Sequence, residues 1–146
     1  MKIKAFLMVI ICIHTFACTA KESKSSERQE ILERASVLIQ KGSFNKAYDL
    51  LISGAKSNDY EMQHTIALIV SNGYGPVDDK KRDEEALKWV VLFAQGGFQD
   101  SINWLADTYE NGWFGLKEKM DAADCWRSKN KSEEIKIKVC PIPNEG

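Results

Sequence analysis

The chain has 146 residues, 44% of them hydrophobic, with 20 Lys and Arg against 21 Asp and Glu, a formal net charge of −1. That length supports one domain with a continuous core. With no basic excess, the electrostatic drive toward nucleic acid or an anionic lipid surface is missing.

At the N-terminus, Lys2 and Lys4 precede an apolar run of thirteen residues from Ala5 to Ala17. This suits the core of a signal peptide over residues 1–17 and falls short of the roughly 20 residues that span a bilayer. The segment Thr15-Phe16-Ala17-Cys18 resembles a bacterial lipoprotein cleavage site, and the resemblance implies lipid attachment at Cys18. Thr15 stands where that pattern prefers Leu, and Phe16 is bulky. The alternative is cleavage after Ala17 or Ala20 and release as a soluble protein. Residues 18–25 read as a polar tether. The chain from Cys18 onward keeps 129 residues and a net charge near −3.

Next in order comes ERASVLIQKGSFNKAYDLL, where Gly42 precedes Ala47 by five residues, as in a short helical hairpin. Helices are expected from Ser26 to Gln40 and from Phe44 to Ser57, forming a divergent repeat over 26–58. The following stretch repeats itself. Ile66-Ala67-x-x-Val70-x-x-Gly73-x-Gly75 returns 39 residues later as Leu105-Ala106-x-x-Tyr109-x-x-Gly112-x-x-Gly115, and Ala86-x-x-Trp89 returns 37 residues later as Ala123-x-x-Trp126. A period of that size with two helical halves is the mark of stacked hairpins, none of which buries its apolar face alone. Residues three apart share a helix face, so each Ala-Trp pair sets a small side chain beside a large ring, as packing requires. The glycines end the first helix of each hairpin, where a left-handed turn costs least. Four further helices are expected: Asp59 to Asn72, Asp83 to Gln95, Asp100 to Asn111 and Met120 to Lys131. Ser43, Asp59 and Asp121 are candidate N-caps. The charges from Asp78 to Glu85 alternate in sign and read as a solvated loop.

The strings IALIVSNGYGPVDDKKRDEEALKWVVLFAQGG and INWLADTYENGWFGLKEKMDAADCW resemble the Sel-one-like repeat family, a branch of the tetratricopeptide-like helical repeats. The resemblance covers roughly 70 residues and implies an all-α fold, a right-handed alpha-alpha superhelix of about three hairpins, with repeats at 59–97 and 98–132. Val70 stands where the family's aromatic is usual, and one extra residue precedes Gly115. Cysteine-rich relatives of that family bind penicillin-like ligands, and they bridge the two helices inside each repeat. Cys125 has no such partner, so an enzyme of that type is the least favoured reading.

Of the four cysteines, Cys12 leaves with a signal peptide and Cys18 is the lipid site or a mobile thiol. Cys125 and Cys140 remain, and in an oxidising compartment the pair most simply forms a disulfide; two free, partly buried thiols are the alternative. In the tail over 133–146, Ile135, Ile137 and Val139 alternate with Lys136 and Lys138, a period of two that suggests an extended segment with one apolar face. It suits a cap over the last helix near Trp126, held by a bridge to Cys125. No nucleophile elbow or metalloprotease motif occurs, and His64, alone after residue 17, argues against a metal site or a histidine-based nucleophile pair. No cofactor or catalytic residue is expected.

With Leu105, Ala106 and Tyr109 as a packed face, Asp100, Asn103, Trp104, Asp107 and Glu110 fall on the other side of their helix. Glu61 and His64 occupy matching positions 39 residues before Asp100 and Asn103. Together they form a mildly acidic stripe suited to a partner protein with a basic surface, Trp104 adding apolar contact; the alternative is an ordinary solvated face. The expected function is an exported protein-interaction module, lipid-anchored in the periplasm or at the outer membrane. The alternatives are a soluble exported form and an immunity protein that neutralises a toxic effector in the same compartment.

Overall fold

The computed structural model describes residues 25–129 and 140–143. The signal segment, Cys18, most of the tether and the alternating stretch Ile135 to Val139 lie outside the described residues. Six α-helices follow one another: α1 over residues 25–40, α2 Phe44–Lys56, α3 Tyr60–Ser71, α4 Arg82–Gln95, α5 Gln99–Asn111 and α6 Met120–Ser128. They pack consecutively as an all-α helical repeat of three hairpins. Each expected helix is found, with no end shifted by more than three residues.

The repeated small-beside-large pairs form the core. Ala86, Trp89, Ala123 and Trp126 are buried, as are Ile66, Ala67, Val70, Leu105, Ala106 and Tyr109. The three buried polar side chains among the described residues are satisfied within this core. Ser101 Oγ donates to the Phe98 carbonyl at 2.6 Å, Thr108 Oγ1 to the Trp104 carbonyl at 2.8 Å, and Gln63 Nε2 to the Ala55 carbonyl at 3.0 Å. The last bond ties the end of α2 to α3, because an unpaired amide at that depth would cost the fold its desolvation energy.

The first helix of each hairpin ends at a glycine with positive φ: Gly42 at 69°, Gly73 at 83° and Gly112 at 62°. At Gly112 a Cβ would also stand 2.9 Å from the Leu116 carbonyl oxygen, so neither backbone angle nor space admits a side chain. The extra residue before Gly115 turns Phe114 to φ 56° inside a short 3-10 turn, Trp113–Gly115.

Of the proposed N-caps, Asp59 serves: its Oδ1 accepts from the Met62 N–H at 3.2 Å. Ser43 occupies the cap position of α2 but makes no side-chain cap bond. Asp121 lies inside α6, whose cap is Lys119. The Lys119 N–H donates to the Tyr109 carbonyl at 2.9 Å, which pins the chain against α5 just ahead of the helix. The charged loop is also more ordered than its alternating signs suggested. Arg82 donates to the carbonyls of Tyr74 and Val77, both at 3.0 Å, and to Asp79, so one guanidinium staples the loop to the start of α4.

At the C-terminal end, Cys125 and Cys140 form a disulfide with a Cα–Cα distance of 5.7 Å. The Pro141 carbonyl accepts from Trp126 Nε1 and from Tyr109 OH, each at 2.9 Å. Residues 140–143 therefore lie against α5 and α6 through Pro141, with Ile142 and Pro143 beside α4, and the rest of the expected cap lies outside the described residues. Burial raises the Tyr109 phenol to a pKa of about 12.

Candidate interaction surface

The three left-handed glycines give a common register for the first helices α1, α3 and α5. Twelve residues before each glycine stands a carboxylate: Glu30, Glu61 and Asp100. Five residues before each stand Val37, Leu68 and Asp107. Val37 is 46% and Leu68 43% exposed, which sets two large apolar side chains in water at equivalent places on successive hairpins.

Between α3 and α5 the surface is aromatic. Tyr60 stacks on Phe98 with centroids 3.8 Å apart, and His64 stacks on Phe93 at 4.6 Å while meeting the edge of Trp104 at 5.9 Å. His64 is thus half-buried among rings. Asp100 acts on it electrostatically, and Asn103 Oδ1 accepts from Gln99 Nε2 at 3.1 Å. The structure thus brings His64 of α3 together with Trp104 and Asp100 of α5.

The stripe is less open in charge than the sequence suggested. Arg28 of α1 binds Asp59 at 2.5 and 3.1 Å and Glu61 at 2.8 Å, and its guanidinium lies 5.9 Å from the Tyr60 ring centre. Arg127 of α6 holds Asp107 at 2.7 Å and also binds Glu110. These shared partners raise both arginines' pKa, hydrogen bonding to Asp59 and Glu110 respectively being the largest cause. Glu61, Asp107 and Glu110 are therefore internally paired, while Asp100 has no Lys or Arg ion-pair partner among the described residues. Sequence reasoning missed Arg28, Arg127, Tyr60 and Phe98 because their partners come from other helices. Val37 and Leu68 were detectable by counting back from Gly42 and Gly73.

Burial lowers the His64 pKa below its usual 6.5, and Asp100 opposes this only in part. The unfolded chain then takes up this proton more readily than the folded one, so stability is full above about pH 6.5 and declines as acid titrates the folded ring. Thermal melts from pH 7.5 to 5 should show this decline in the native chain and a smaller one in His64→Gln. Equal declines would remove His64 as their source.

The arrangement offers ring faces, exposed aliphatic side chains and carboxylates, which bind by contact and charge. Compared with protein-family models, curated proteins and solved structures, the chain matches none.

Proposed function

We propose that the chain is an exported protein-interaction module, tethered to a membrane through a lipid on Cys18, whose α1, α3 and α5 face holds another protein. The observation that carries this reading is the pair Val37 and Leu68, exposed at 46% and 43% in the same register of neighbouring hairpins. An isolated exposed aliphatic residue needs no explanation, but two in register on neighbouring hairpins, with the exposed Tyr60 and Phe98 rings at the starts of α3 and α5, favour this side as the contact face. Among the described residues no helix is long and apolar enough to cross a membrane, so in this reading the attachment comes from the N-terminal lipid.

The test is quantitative capture from the membranes of the producing cell, native chain against Leu68→Glu, with mass spectrometry of the mature N-terminus on the same material. The expected result is an acylated Cys18 and at least a tenfold loss of the captured partner, with helical circular dichroism unchanged. Undiminished capture by the folded variant would move the surface to the loops after Gly73 and Gly112. An unmodified Cys18 or an N-terminus at Lys21 would remove the tether.

A further inference from the structure

Contacts between hairpins place the starts of α1, α3 and α5 at one end of the stack. Arg28, near the start of α1, binds Asp59 at the cap of α3 at 2.5 Å, and Tyr60 at the start of α3 stacks on Phe98 at the start of α5 with centroids 3.8 Å apart. The loops joining α2 to α3 and α4 to α5 turn at this end, and the loops that follow Gly42, Gly73 and Gly112 turn at the other.

The two ends meet water differently. At the first, residues Gln95 to Gln99 are exposed and carry no charge, and they present the Phe98 ring at 38% exposure beside Tyr60 at 37%. At the other, the loop after Gly73 holds consecutive exposed charges from Asp78 to Lys81, and the loop after Gly112 holds them from Lys117 to Lys119. Such ions keep a surface in water, whereas aromatic rings favour the boundary between lipid headgroups and acyl chains.

The reach of the tether separates the ends as well. From Cys18 to residue 25, where α1 starts, is seven residues, and seven extended residues span at most about 25 Å. Helix α1, over residues 25–40, is itself about 24 Å long. A lipid on Cys18 keeps the first end close to the bilayer, and it brings the far end there only with the tether fully stretched back along α1.

From the tether's reach and the uncharged aromatic end we infer that the stack stands with the starts of α1, α3 and α5 against the bilayer, the Tyr60 and Phe98 rings seated among the lipid headgroups. The inference rests on the lipid-tether reading and specifies the surface that the tethered domain turns to the membrane. Arg28 already answers Asp59 and Glu61 at this end, but Asp100 has no Lys or Arg ion-pair partner among the described residues, so the fit is to zwitterionic rather than anionic headgroups. Leu68, about 12 Å along α3 from Tyr60, then stands clear of the lipid and open to a partner alongside.

Tryptophan quenching tests this with the full acylated chain in phosphatidylcholine vesicles, compared with and without a nitroxide on some of the headgroups, a quencher of short range. Phe98→Trp sets a reporter in the inferred contact. Trp113, 45% exposed beyond the far end of α5, is the native reporter about 20 Å away. The emission that Phe98→Trp adds to the native spectrum should fall by about half or more, and the emission that Trp113→Phe removes should be unquenched. Tyr60→Trp reads the same contact if Phe98→Trp loses its helical circular dichroism. Quenching of Trp113 equal to or above that of the near reporter, or no quenching of either in vesicle-bound protein, overturns the inference and leaves the tether standing. Mass spectrometry of the same protein showing an unmodified Cys18 removes the tether and the inference with it.

Discussion

Reducing the Cys125–Cys140 bridge should lower the melting temperature by about 10 °C. The bridge spans 15 residues, and constraining a loop of that size in the unfolded chain contributes roughly 3 kcal/mol. In a domain of this size each kcal/mol moves the midpoint by about 3–5 °C. The loss should be local as well as global. Cys140 holds Pro141 where its carbonyl accepts from both Tyr109 and Trp126, so freeing the tail opens the phenol to water. The Tyr109 pKa should then fall from about 12 toward its usual 10, which ultraviolet titration of the reduced, still folded protein would detect. Both cysteines are nearly inaccessible, at 5% and 2% exposure, and thiol probes should leave the native unreduced protein unlabelled. Labelling of both would mean that the bridge is not formed.

Trp89→Ala should cost more than any other single truncation, about 3–5 kcal/mol, against the roughly 5–15 kcal/mol that stabilises a whole domain. Trp89 is 1% exposed and is the largest of the fully buried side chains. Its helix α4 packs between α3 and α5, so the cavity would open where two hairpins meet. Its Nε1 also donates to Glu85 at 2.8 Å. Trp89→Phe keeps most of the ring volume, gives up that bond, and should cost markedly less. Urea melts would read the difference as a shift in midpoint at constant slope. A loss below 1 kcal/mol for the alanine variant would show that the interface closes around the gap and that Trp89 does not organise the stack.

The hairpins were legible because they depend on local chemistry. A glycine that must take positive φ, a small residue three positions from a tryptophan, and an Asp ahead of a helix act within a few residues of themselves. Counting along the chain therefore located all six helices and the buried faces of α3 to α6. The Cys125 and Cys140 pairing was also within reach, since the cysteine count and the expectation of an oxidising compartment left few combinations.

The charge state of the surface was decided elsewhere. Arg28 lies 31 residues from Asp59 and 33 from Glu61, and Arg127 lies 20 residues from Asp107 and 17 from Glu110. No periodicity within one helix reports such pairs, because they depend on which helices become neighbours and how far each is rotated. The same holds for His64: its place on a helix was readable, but its ring stacks on Phe93 of the next helix and meets the edge of Trp104 on the one after. The sequence by itself determined where each helix begins, ends and turns its apolar side, since those choices are governed by backbone angles and burial along one segment. Only the tertiary structure decided which carboxylates are already answered by an arginine and which face solvent, because a long flexible guanidinium pairs with whatever packing brings within its reach.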